Sequence, residues 1–470
     1  MADQSRRPSR RPAKPRRTPV RDPVRALAYE VLRAVDERDA YANLALPPLL
    51  RKARQAGGFD DRDAALATEL VYGTLRHQGT YDAVIARCVD RPLAEVDPPV
   101  LDVLSLGAHQ LLGTRIPPHA AVSATVELAK CVLNDGRARF VNAVLRRITA
   151  HDLDGWLEQV APPWEDDPEA HLALVHSHPR WVVSAMWDAL GGGRQGIEEL
   201  LEADNERPEV TLVARPGRAT AEELLTPDAR PGRWSPYAVR LAGGEPGALD
   251  AVREGRAGVQ DEGSQLVALA LANAPLDGRD TRWLDGCAGP GGKAALLAGL
   301  AAQRGAALVA AEKQPHRARL VAGALSGNPG PYQVVAADGT RPPWRPGTFD
   351  RVLVDVPCTG LGALRRRPEA RWRRRPEDLD GFAPLQRGLL EEALRAVRVG
   401  GVVGYATCSP HPAETGEVVA DVSRRIGCEP VDARPLLPGV PYLGDGPDIQ
   451  LWPHLHGTDA MYLALLRRTG

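Results

Sequence analysis

Two cysteines stand in segments where a sulfur has chemistry to do: Cys358 in Asp355-Val-Pro-Cys-Thr-Gly360, and Cys408 in Tyr405-Ala-Thr-Cys-Ser409. Each follows an apolar, β-branched run, Val352-Leu-Val354 and Val402-Val403, that reads as the end of a strand. The carboxyl ends of parallel strands are where open α/β sheets hold their reactive groups. Two thiols at one such edge point to covalent chemistry, although a small buried thiol is the commoner role of a lone cysteine. Cys88, Cys131 and Cys428, which have no such setting, are assigned to that role.

A second constellation lies upstream. The strand Arg282-Trp-Leu-Asp285 runs into Asp285-Gly-Cys-Ala-Gly-Pro-Gly-Gly-Lys293, whose glycines let backbone pass close to a ligand while the following helix offers free N–H groups. The spacing is neither G-x-G-x-x-G nor that of a phosphate loop, which demotes nicotinamide cofactors and ATP. Glu312 ends the next strand, where a carboxylate accepts hydrogen bonds from a ribose diol, and Asp338 after the third strand is placed to meet an adenine. Either carboxylate alone reads equally as a helix cap or surface charge. Acids and a glycine loop at three successive strand ends favour adenosine.

The elements that must position these groups follow from the rest of the chain. At 470 residues it exceeds one ordinary domain. The first 21 residues hold eight Lys or Arg against one Asp, a net +7 that leaves −8 on the remainder, and are expected to form a disordered basic tail able to meet RNA phosphates. From 22 to 150, apolar periodicity such as Tyr29-Glu-Val-Leu32 and Phe140-Val-Asn-Ala-Val-Leu145 predicts an all-helical domain. After Ala161-Pro-Pro163, a helix at Trp181–Leu190 and strands at Val210–Val213 and Ala238–Leu241 predict a small α+β module over 163–258. From 259 to 470, alternation of strands and helices predicts a parallel, doubly wound sheet. Six cysteines without pairing pattern, no leader and no long apolar run fit reduced thiols in a cytoplasmic protein with no membrane partner; no metal is expected.

Val259-Gln-Asp-Glu-Gly-Ser-Gln265, Cys287-Ala-Gly-Pro-Gly-Gly-Lys293, Asp355-Val-Pro-Cys-Thr-Gly360 and Thr407-Cys-Ser409 resemble the RNA cytosine-C5 methyltransferases of the Nol/Nop/Sun superfamily, over about the last 210 residues. Asp63-Ala-Ala-Leu-Ala-Thr-Glu-Leu-Val-Tyr-Gly-Thr-Leu-Arg76 and Phe140-Val-Asn-Ala-Val-Leu-Arg-Arg147 are similar to NusB, an RNA-binding factor. The pairing resembles the bacterial RsmB/Sun type, which methylates 16S ribosomal RNA. The resemblance implies a multidomain chain: an all-α NusB-like domain, an α+β linker and an α/β Rossmann-like class I methyltransferase domain. It also implies S-adenosyl-L-methionine held by Cys287, Ala288, Gly289, Pro290, Gly291, Gly292, Lys293, Glu312, Asp338 and Asp355. The expected partner is 16S ribosomal RNA, met by a monomer.

The chemistry makes a thiol necessary, because C5 of cytosine is a poor nucleophile until something adds to C6. In the family the Thr-Cys-Ser cysteine adds, which maps onto Cys408, and the Pro-Cys cysteine, Cys358, assists release. DNA cytosine methyltransferases use the Pro-Cys cysteine instead, so residue chemistry alone leaves the two roles open. Asp355 is placed to hydrogen-bond the N3/N4 edge of the base. Lys293, one of only five lysines among 59 basic residues, is implied near cofactor and base; a helix-surface lysine is the plainer alternative.

Arg365-Arg-Arg-Pro-Glu-Ala-Arg-Trp-Arg-Arg-Arg375 sets seven arginines around Trp372 just past the Pro-Cys motif. Arg365, Arg366, Arg367, Arg371, Trp372 and Arg373 are therefore expected to contact RNA, guanidinium groups on phosphates and a base on the indole. Against the family pattern, Gly289 and Ala294 stand for Ala and Thr, Thr359 for Ser, Thr415 for Asn, and Asp459-Ala-Met-Tyr462 for Asp-Gly-Phe-Phe; no catalytic group is lost. The competing expectations are the same chemistry on transfer RNA, or an inactive RNA-binding assembly factor.

Overall fold

The computed structural model describes residues 22–470, so the basic tail expected at 1–21 lies outside the described residues. Contacts divide the chain after Val160. The first unit is helical throughout its described residues: Pro23–Arg38, Ala42–Gln55, Asp61–Arg76, Gln78–Cys88, Pro98–Leu112, Pro118–Val132, Asp135–Ile148 and Leu153–Val160. Its starts are written in the sequence. Asp22 accepts from Val24 and Arg25 N–H with Pro23 at the first helical position, and Asp60 and Asp63 form a reciprocal capping box. Pro98–Leu112 is buried nearly all round from Val103 to Gln110 and serves as the central helix. Its wholly buried Gln110 donates to Leu106 O and Thr125 Oγ1 and accepts from Arg25 Nε.

The second unit opens with helices Pro168–Val175, Arg180–Ala189 and Arg194–Asn205, two more than the sequence reading placed there. A small antiparallel sheet follows, β1 (Val210–Ala214), β2 (Ala229–Pro231), β3 (Ala238–Leu241) and β4 (Ala257–Val259), in the order β2-β3-β1-β4. β4 runs across the expected 258/259 boundary, and Gln260 N–H donates to Thr211 O on β1, so the small sheet is stitched to the segment after it.

The larger sheet comprises β5 (Arg282–Asp285), β6 (Ala307–Glu312), β7 (Tyr332–Ala336), β8 (Phe349–Asp355), β9 (Val397–Thr407), β10 (Cys428–Val431), β11 (Ile449–Gln450) and β12 (Tyr462–Arg468). The order is β10-β12-β9-β8-β5-β6-β7, with β11 on β12. Alternation along β8 and β9 divides the core: Leu353, Val402 and Ala406 pack with the helices Glu262–Asn273 and Gly292–Gln303, while Val352, Val354, Val403 and Tyr405 pack with Asp378–Ala396.

The sheet is not wholly parallel, which corrects the expectation. β5 to β9 are parallel, but β12 runs antiparallel to β9, and β10 and β11 antiparallel to β12. Between residues 432 and 461 no helix is long enough for a parallel crossover, so the last strand enters from the other end. Among the described residues no helix is long and apolar enough to cross a membrane.

Candidate active site

β8 and β9 are parallel neighbours with Asp355 opposite Ala406, so the loops carrying Cys358 and Cys408 leave the same edge side by side. Val356 N–H donates to Ala406 O, Gly362 N–H to Cys408 O, and Ala460 N–H to Gly362 O, which lace the two loops and the approach to β12 together. The outcome is a pair of half-buried sulfurs 3.4 Å apart, from residues fifty positions apart in the chain. The hydrogen bond with Cys358 and burial push the Cys408 thiol above its ordinary range, while Lys293 pulls the other way.

Lys293 lies one residue into the helix Gly292–Gln303 and reaches back to the same edge. Its ammonium donates to Asp355 Oδ2 at 2.8 Å and to Ser264 Oγ at 3.1 Å. Burial disfavours that charge, but the Asp355 carboxylate more than offsets it and holds the amine above its usual range. Cys358, Cys408, Lys293 and Asp355 thus form one cluster. It contains a soft nucleophile, a second thiol in contact with it, and a paired cation and carboxylate.

The glycine loop turns beside this cluster. Cys287 N–H donates to Asp285 Oδ1 and Ala288 N–H to Ala311 O, pinning the turn to β5 and β6. Burial raises the thiol of Cys287 and holds Asp285 up to about 7, the latter with help from the Asp355 charge. Gly289 N–H donates to Glu312 Oε2, Pro290 follows through a cis peptide, and Gly291 at φ +113° caps the helix begun by Gly292.

The loop suits an adenosyl ligand on four observations. Glu312 takes N–H groups from Gly289 and Gln314, which fills two of the roughly four acceptor positions of a carboxylate and leaves others for a diol. Gln260, 7% exposed, has no hydrogen-bond partner for either amide atom among the described residues and lies against Gly292, where polar atoms of a ligand fit. The first turn of the helix supplies N–H groups. Asp338, past the end of β7, is held at about 2 by hydrogen bonds from Lys313 and Thr340 and so stays an acceptor.

The arginine run is in large part not a surface for RNA, which corrects the sequence expectation. Arg365 and Arg366 sit between Asp261 and Asp459: Arg366 Nε is 2.7 Å from Asp459 Oδ1 and its Nη2 donates to Asp261, while Arg365 Nε is 3.3 Å from Asp459 Oδ1. Burial opposes the Arg366 charge, and the two carboxylates outweigh it. Arg371 is 0% exposed and donates to Asn205 Oδ1, Ser177 O and Asp204 O. These three guanidinium groups hold the chain together. Trp372 is 38% exposed, Arg367 is exposed and Arg373 half-buried; Arg366 is half-buried too, but its guanidinium is taken up by Asp261 and Asp459. Of the cysteines given a plain structural role, Cys88 is buried and Cys428 half-buried, but Cys131 is exposed near the end of its helix.

Several groups at the site were missed. Ser264 lay inside a segment whose pattern was recognised without a role for any residue. Arg317, which donates to Gly289 O, and Gln386 and Glu414, which bond the cysteine loops, carried no local signal, because their partners lie 28 or more positions away in sequence.

Comparison with known proteins follows the two units. Residues 22–150 match the NusB family and residues 270–467 match the family described as 16S rRNA methyltransferase RsmB/F. The chain is 55% identical to a putative methyltransferase of Mycobacterium tuberculosis over 94% of its own length and 96% of the relative's. It is 31% identical to the probable ribosomal RNA small subunit methyltransferase B of Bacillus subtilis, covering 95% and 99%. The same fold is seen in the crystal structure of PH0851, with a TM-score of 0.77 at 21% identity over 96% of this chain and 100% of that one.

Proposed function

The chain belongs to the 16S rRNA methyltransferase RsmB/F family, and from this we propose that it transfers a methyl group from S-adenosylmethionine to C5 of a cytosine in 16S ribosomal RNA, by way of a covalent bond between Cys408 and C6. The observation that carries the reading is the contact of the two sulfurs beside the Lys293–Asp355 pair. Relatives named for ribosomal small-subunit methylation align over nearly the whole chain, which favours ribosomal over transfer RNA as substrate.

The bound donor supplies an electrophilic methyl group on a sulfonium sulfur. Lys293 favours the Cys408 thiolate by its charge. As the Cys408 sulfur bonds to C6, the π electrons of C5=C6 move toward N3, which takes a proton delivered from solvent through the Asp355 carboxyl hydrogen-bonded to the N3/N4 edge. C5, now enamine-like, takes the methyl group. Cys358, in contact with the attacking sulfur, loses its own proton to solvent and as thiolate accepts the C5 proton; the C–H electrons restore C5=C6, the C6–S bond breaks to return Cys408 as thiolate, and N3 gives its proton back through the Asp355 carboxyl. The target base must leave its helix for C6 to be reached. Trp372, Arg367, Arg373 and Arg375 are groups of the arginine run that can meet RNA.

Cys358→Ala, incubated with 16S rRNA and S-adenosylmethionine, should leave a protein–RNA adduct on a denaturing gel, absent from the Cys358→Ala/Cys408→Ala double variant. Normal methylation by Cys358→Ala without adduct, or an adduct that survives loss of Cys408, overturns the assignment.

A further inference from the structure

The geometry points to Glu414 as a positioning residue that holds Cys358 against Cys408 for the release step, an inference that rests on the covalent reading above. Glu414 ends the short turn Pro412–Glu414 and is 0% exposed. A buried carboxyl group is costly unless every oxygen is satisfied, and here the partners are neutral donors. Oε1 accepts from Thr359 N–H at 2.9 Å and from Gln386 Nε2 at 2.9 Å, and Oε2 accepts from the Thr359 hydroxyl.

Each partner adjoins a reactive cysteine. Thr359 follows Cys358; Gln386 Nε2 also donates to Pro357 O, just before Cys358, at 2.9 Å; and Thr359 Oγ1 is 3.1 Å from Ser409 Oγ, next after Cys408. With its proton given to Glu414, the Thr359 hydroxyl accepts from Ser409, so the two loops are joined through one carboxyl group. Tyr405 OH anchors the Glu414 carbonyl to β9 at 2.7 Å.

The network does not hold the two sulfurs equally. Cys408 keeps a backbone tether of its own, the Gly362 N–H on its carbonyl, whereas the neighbours of Cys358 are held by side chains: Thr359 N–H and hydroxyl by Glu414, Thr359 O by Arg374 and Pro357 O by Gln386, which Glu414 itself orients. Removing the Glu414 side chain therefore frees Cys358 first. Attack by Cys408 persists while acceptance of the C5 proton fails, and the adduct accumulates although both thiols are present.

The test compares native protein, Cys358→Ala, Glu414→Ala, Glu414→Gln and Thr359→Val, with melting temperatures for each, in single-turnover and steady-state methylation of 16S rRNA and on denaturing gels. Glu414→Ala and Thr359→Val should keep the first methyl transfer within about threefold, slow later turnovers at least about tenfold, and accumulate adduct as Cys358→Ala does. Glu414→Gln should stay close to native, because its amide can donate to a reversed Thr359 hydroxyl while its oxygen keeps the two N–H groups. If Glu414→Ala fails to fold, Thr359→Val decides. First and later turnovers falling together without adduct, or Glu414→Gln matching Glu414→Ala, overturns the inference. Adduct from Cys358→Ala but from neither Glu414→Ala nor Thr359→Val sinks it alone; no adduct from Cys358→Ala sinks the covalent reading and this inference with it.

Discussion

The surroundings of Cys408, the proposed nucleophile, oppose its active form. The hydrogen bond with Cys358 and burial raise its thiol, so at neutral pH the thiolate is a smaller fraction than for an exposed cysteine, and only Lys293 offsets them among the named neighbours. The sign follows: single-turnover methylation should climb with pH through and beyond the ordinary thiol range of about 8.5, and Lys293→Ala should move the rise to higher pH and lower the rate near neutrality by about tenfold or more. A profile flat from about pH 6 to 8 would mean that the thiolate is already formed in the free protein.

At the scale of elements, the positions of the two cysteines depend on backbone as much as on side chains. A Cβ at Gly362 would overlap the Ala460 carbonyl oxygen and come within 2.8 Å of that of Cys408, both of them backbone atoms unable to yield. Gly362→Ala should therefore cost about 1–3 kcal/mol in thermal or denaturant unfolding and abolish the adduct in the Cys358→Ala background. Unchanged stability would mean that the loops part freely there. The parallel core was legible in sequence because buried parallel strands are short β-branched runs ending in polar residues, as at Arg351-Val-Leu-Val-Asp355. The antiparallel return of β12 was not, since no local pattern states direction. Lys293, Asp355, Cys358 and Cys408, which the fold gathers at one edge, could be singled out in the sequence because each belongs to a motif that follows a strand. The arginine run misled because composition records charge and not burial: Arg366 finds Asp261 105 positions away and Arg371 finds Ser177 194 away.

For the whole molecule, the second unit is one body because buried cations join its parts. Arg371, past Cys358, binds the turn at Ser177 and the end of the helix Arg194–Asn205. Burial holds the Asp204 carboxyl up to about 7, and the Arg371 charge is the leading influence keeping it from rising further. Arg371→Ala should lower unfolding free energy by about 3–5 kcal/mol in urea, since a buried acid loses its cation while carbonyls lose their donors. A loss below about 1 kcal/mol would show that the two segments hold without it. The sheet has one more consequence. Because adjacent parallel strands, rather than either loop, bring Cys358 and Cys408 to 3.4 Å, the two roles proposed for them, attack on C6 and release, lie within less than the width of a base. On the proposed reading, either sulfur stands close enough to the same carbon that a small shift in how the pyrimidine is presented would exchange which of them attacks.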